Sequence, residues 1–102
     1  MEPQTKDYAS GNWVVQPGRE TDFVKAWDHF LGWTRAEAPG LRWAMLVRDA
    51  ADSRHFVSMA EWESQEALLA WRSMPAFVPN FTACRALCED FQGSNYQLIA
   101  TA

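Results

Sequence analysis

The chain has 102 residues, 48% of them hydrophobic, with six tryptophans, six phenylalanines and a formal net charge of −4. That length makes one domain with ample core side chains, and an acidic balance with nine scattered basic residues argues against a nucleic-acid surface. No apolar run approaches the ~20 residues of a membrane span. The polar opening MEPQTKDYAS lacks the apolar segment of a secretion signal, so the expectation is a soluble cytoplasmic protein with a loose tail over 1–9 and one domain over 10–102.

In chain order, GNWVVQP predicts a short strand from Gly11 to Gln16, ended by Pro17 and Gly18. A helix follows from about Glu20 to Glu37, with Phe23, Trp27, Phe30, Leu31 and Thr34 at helical spacing on one face, stopped by Pro39 and Gly40. LRWAMLVRD reads as a second strand and DAAD as a turn into a third, RHFVSMAEW. In that third strand, alternation puts Phe56, Ser58, Ala60 and Trp62 on one face and His55, Val57, Met59 and Glu61 on the other. Neither set is strongly polar, so the strand should be covered on both sides.

Ser64 is placed to cap the next helix, whose Ala67, Leu68 and Trp71 share a face as far as Ser73. Pro75 opens a further helical segment in which Phe77, Phe81, Cys84 and Cys88 recur at i, i+4, i+7 and i+11, and NYQLIATA reads as the last strand. The two cysteines, four apart on that helix, are poorly aimed for a disulfide and lack the histidine partners of a zinc site, so they read as buried packing residues.

The order is β-α-β-β-α-β, the pattern of a ferredoxin-like α+β domain with one antiparallel sheet and both helices on one face. Its other face would be bare and apolar, which predicts a homodimer of two copies packed sheet to sheet.

Four segments, QPGRETDFVKAW, APGL, VRD and EWESQEALLAWRSMPAF, together resemble the antibiotic biosynthesis monooxygenase domain, over about Gly11 to Leu87. The resemblance implies a dimeric α/β barrel. In the branch that oxidises anthrones without a cofactor, a third-strand tryptophan corresponds to Trp62, an asparagine to Ser58 and a helical tyrosine to Leu68. In the haem-degrading branch, the helical tryptophan corresponds to Trp71, the first-strand asparagine lies near Asn12, and the iron-binding histidine falls at Phe81, which argues against haem degradation.

These readings converge on an aromatic-walled pocket between sheet and helices. Trp62 and Asn12 are the candidate catalytic residues, and Ser58, Trp71, Phe56, Leu68, Trp27 and Phe81 the candidate substrate-binding ones. Asn12, if turned inward, would hydrogen-bond a substrate oxygen, although it serves equally as a local backbone partner; Trp62 and Trp71 serve equally as core. His29 falls on the polar edge of the first helix, and His55 and Glu61 face the expected dimer interface; Arg42 and Arg48 read as solvated edge residues. No glycine-rich phosphate loop, nucleophile elbow or zinc spacing occurs, so no flavin, nicotinamide, ATP or metal is expected. The expected function is a cofactor-independent monooxygenase for a small hydrophobic aromatic or polyketide-type molecule. The alternatives are an isomerase or degradative enzyme for a small metabolite and a non-catalytic, stress-associated ligand-binding dimer.

Overall fold

The computed structural model describes residues 7–102. Seven elements follow in the order β1 (Asp7–Val15), α1 (Glu20–Glu37), β2 (Leu41–Arg48), β3 (His55–Trp62), α2 (Gln65–Ser73), α3 (Phe77–Arg85) and β4 (Cys88–Gln97). The strands form one sheet in the order β2-β3-β1-β4, with every neighbouring pair antiparallel. This is the ferredoxin-like α+β arrangement, with the second helix divided in two. The division lies at Met74, whose φ of −65° and ψ of 138° are extended, as expected for a residue before proline.

Local chemistry accounts for the element ends. Glu20 and Asp22 in the first turn of α1 and Arg35 in its last complement the helix dipole. Gly40, at φ 98°, turns the chain into β2, and a Cβ there would sit 2.7 Å from the Ala67 Cβ, so that position admits only glycine without displacement. Ser64 caps α2, its Oγ accepting from the Ala67 N–H at 3.1 Å.

Three expectations are corrected. The first strand begins at Asp7, so residues 7–9 pair on both sides; residues 1–6 of the expected tail lie outside the described residues. The last strand runs from Cys88 to Gln97, and residues 98–102 continue it in no regular form. Cys88 therefore opens β4 and does not continue the helix. It pairs with Val15 across the sheet, and its thiol lies 3.5 Å from the Cys84 carbonyl oxygen.

The helices pack on the sheet face that carries Ala9, Trp13, Val15, Phe56 and Trp62. Trp62, Phe23, Leu68, Val15 and Cys84 are fully enclosed, and burying each large apolar side chain is worth about 1.5–3 kcal/mol. The opposite face carries Tyr8, Val57, Met59 and the buried Glu61, and leaves Trp43, Met45, Val47 and Tyr96 exposed.

Candidate functional site

A cavity of about 470 Å³ lies between the sheet and the helices. Strand register explains why it exists. Across the helix-facing side run two adjacent rows of mostly small side chains: Gly93, Gly11 and Ser58, ending at Leu46 on β2, then Asn95, Ala9, Ala60 and Ala44. Larger rows bound them, Phe91, Trp13 and Phe56 at one end, Trp62 and Leu41 at the other. The small rows leave a trough that the helices roof and do not fill.

The roof is aromatic. Phe30 stacks on Trp71 with ring centroids 5.7 Å apart, Phe77 meets Trp71 edge-on at 4.8 Å, and Phe81 stacks on Phe77 at 5.7 Å. Trp62 rises from the sheet to meet Trp71 at 4.9 Å. Rings offset or tilted in this way gain about 0.5–1.5 kcal/mol per pair beyond their area burial, so the box is stiff before any ligand enters.

Polar groups in the wall are few and mostly committed. Trp13 Nε1 donates to Ser58 Oγ at 3.0 Å. Trp71 Nε1 donates to Thr34 Oγ1 at 3.1 Å, and that hydroxyl donates in turn to the Phe30 carbonyl at 2.8 Å. Arg72 Nη2 donates to Asn95 Oδ1 at 2.6 Å, linking α2 to β4. Trp62 Nε1 is buried with no partner among the described residues. Among the described residues no carboxylate or imidazole lines the cavity.

Ser58, Trp62, Trp71, Trp27 and Phe81 all line this cavity. Asn12, Phe56 and Leu68 do not. Asn12 points to the opposite face of the sheet, because the inward positions of β1 are Ala9, Gly11, Trp13 and Val15; its Oδ1 lies 3.0 Å from His55 Nε2. Inward hydrogen bonding by Asn12 is thereby corrected. Phe56 faces the helices but lies in the large row, packed on Phe23 at 5.1 Å. Leu68 is enclosed beside Trp62, Ala9 and Ala38, one layer behind the wall. His55 also bonds Asp49 at 2.9 Å through Nδ1, a contact that holds the Asp49 carboxyl below its usual value; a backbone N–H from Ala51 adds to the effect. His29 is exposed.

Trp13, Thr34, Phe91 and Arg72 also line the cavity, beyond the residues to which the sequence points. Alternation within β1 would have exposed Trp13, since it shares parity with Gly11 and not with Asn12. Among the described residues no group of three or more His, Cys, Asp or Glu could hold a metal ion. Phe81 presents an apolar ring to the cavity, stacked on Phe77.

The family model for antibiotic biosynthesis monooxygenase matches residues 9–79. No protein of curated function matches the chain at the sequence level. Among solved structures, SnoaB, a cofactor-independent oxygenase from Streptomyces nogalater, is 21% identical and superimposes with a TM-score of 0.83 over 97% of each chain. A variant of the same protein reaches 0.86 at the same identity and coverage. A conserved protein from Methanosarcina mazei Go1 is 12% identical with a TM-score of 0.81, over 91% of this chain and 92% of that one. At these identities the likeness to solved structures speaks for the fold.

Proposed function

The chain belongs to the antibiotic biosynthesis monooxygenase family, and we propose that it is a cofactor-independent monooxygenase for a small aromatic or polyketide-type molecule. The aromatic box carries this reading: a cavity of about 470 Å³ walled largely by tryptophan and phenylalanine, with few polar atoms, suits a flat polycyclic molecule. An electron-rich phenol or enol, once deprotonated, can itself reduce dioxygen by one electron. Recombination and loss of water then convert a ring CH2 to C=O, one oxygen atom entering the product and the other leaving as water. The protein has to exclude solvent, hold the ring stack and support charge on the substrate oxygen. The Trp62 N–H, buried without a partner among the described residues, becomes a donor to that oxygen once the wall shifts enough to uncover it.

Oxygen uptake with a panel of anthrones and hydroquinones tests the reading. Wild-type uptake at least tenfold above that of the Trp62→Phe/Trp71→Phe double variant supports it; equal uptake removes it. Turnover that continues without oxygen would move the assignment to isomerisation or degradation of a small metabolite. A wall in which no described residue is a carboxylate or imidazole also favours a second reading, a ligand-binding dimer without chemistry, which predicts binding with no product.

A homodimer belongs to the same proposal. Trp43, Met45, Val47 and Tyr96 leave one sheet face apolar and exposed, and a second copy packed on it would cover that surface. Met45→Asp, opposite Met59 in the register, should convert a dimer to monomers in sedimentation velocity; a wild type that sediments as a monomer at micromolar concentration rejects the idea. Cytoplasmic residence is part of the reading, supported by two buried, unpaired thiols. No helix among the described residues is long and apolar enough to cross a membrane.

A further inference from the structure

Among the described residues, Arg72 is the one ionised side chain that lines the cavity, and no carboxylate there answers its charge. Two other arginines have acidic partners, Arg19 with Asp22 at 2.9 Å and Arg54 with Glu89 at 3.1 Å, while Arg85 donates to the Cys88 carbonyl at 3.0 Å and Arg48 lies over the Phe56 ring, neither of them in the cavity wall. Arg72 is bonded instead to a neutral amide, Asn95 Oδ1, and among the described residues no carboxylate pairs with it. The side chain is half-buried, and its guanidinium carbon lies 5.9 Å from the centroid of the Trp71 ring that roofs the box.

The bond to Asn95 uses one N–H, and a guanidinium carries five in a rigid fork. A partly desolvated cation with donors to spare, beside an aromatic wall, is matched by a carboxylate bound in two-pronged fashion. Burial alone disfavours the charged form, and burial pulls the Arg72 pKa below the ordinary arginine value. An incoming anion would offset that penalty, which a neutral ligand cannot do.

We propose that the cavity selects aromatic carboxylic acids, the ring system lying in the Trp62–Trp71–Phe77 box and the carboxylate gripped by Arg72, with Asn95 positioning the guanidinium. This rests on the reading of the cavity as an aromatic-ligand site and adds to it the charge of the ligand. No bond is made or broken in this step. The carboxylate is a handle, remote from any carbon that is oxidised.

Isothermal titration with 2-naphthoate and with its neutral methyl ester separates the two claims. The wild type should bind the acid at least tenfold more tightly than the ester. Arg72→Met and Arg72→Gln should abolish that preference while leaving ester affinity within about twofold, and Arg72→Lys should keep part of it. Asn95→Ala should weaken the acid and not the ester. Ester binding as tight as acid binding, or an acid preference that survives in both Arg72→Met and Arg72→Gln, overturns the anion handle and leaves the aromatic site standing. Binding of neither probe overturns both. Thermal melts of each variant exclude misfolding as the source of a lost preference, since a misfolded variant would lose the ester as well.

Discussion

Trp13 Nε1 donates to Ser58 Oγ across 3.0 Å, tying β1 to β3 at the edge of the cavity floor. Trp13 is only 2% exposed, and the serine is the one protein acceptor its N–H has among the described residues. Ser58→Ala should therefore destabilise the protein by about 1–3 kcal/mol, the range for orphaning a buried donor. Trp13→Phe/Ser58→Ala should be less destabilised than the sum of the single changes, because the orphaned donor is gone. Urea denaturation of the four proteins in the cycle measures both quantities.

Gly11 sits between those two residues. A Cβ there would lie 2.7 Å from Trp13 Nε1, 2.9 Å from Phe91 Cε1 and 2.9 Å from Ser58 Oγ. All three are side-chain atoms in the wall, and making room means moving two aromatic rings and turning the Ser58 hydroxyl off its bond from Trp13. Gly11→Ala should lower stability by about 1–3 kcal/mol, as overpacked cores do. It should also weaken binding of 2-naphthoate and of its ester alike, since the floor rises under both. Urea denaturation and the same titration read the two effects; unchanged affinity would show that the ring stack does not reach this end of the trough.

What could be read from the sequence follows from the strength of each periodic signal. α1 was legible to the residue because Phe23, Trp27, Phe30 and Thr34 form an uninterrupted buried stripe. β3 was legible because neither of its faces is strongly polar and the turn DAAD precedes it. β4 was not: CEDFQGSNYQ is an exposed edge strand with Cys88 its one buried residue, so it lacks the alternation by which a strand is recognised. Cys84 and Cys88 stand at helical spacing by coincidence of a helix end and a strand start. The trough itself depends on register, with Gly93, Gly11 and Ser58 brought side by side from three strands, and no single segment records that. Arg72 was missed for the same reason, its partner Asn95 lying on the strand that sequence alone misplaced.

Trp62 and Trp71 touch but should respond differently to loss of the indole N–H. Trp71 donates to Thr34, whereas Trp62 Nε1 is buried without a partner among the described residues. Trp62→Phe removes some packing volume and also an unsatisfied donor, so the two effects oppose and the net loss should be about 1 kcal/mol or less. Trp71→Phe removes both volume and a made hydrogen bond and should cost more. Equilibrium unfolding ranks them. If Trp62→Phe is the more destabilising, its N–H is already satisfied in solution, and its availability to a substrate oxygen is lost as an argument.

The two thiols give a pH dependence of defined sign. Burial pushes Cys84 up to about 12, with the neighbouring Cys88 adding to the effect, and pushes Cys88 up to about 11, with Arg85 acting against it. In the unfolded chain both should titrate near 9.0. A group whose value is raised on folding contributes stability in full below its unfolded value and loses it as pH rises through the folded one. Their contribution should therefore be intact at pH 8 and erode from about pH 9 towards pH 11–12. Urea midpoints taken across this alkaline range should fall for the wild type and fall less steeply for Cys88→Ala. At pH 8 both thiols should react with a disulfide reagent far more slowly in the native protein than in urea, because folding withholds the thiolate. Rapid native labelling of either would mean that β4 opens at Cys88 and that the edge of the sheet is looser than its pairing with Val15 implies.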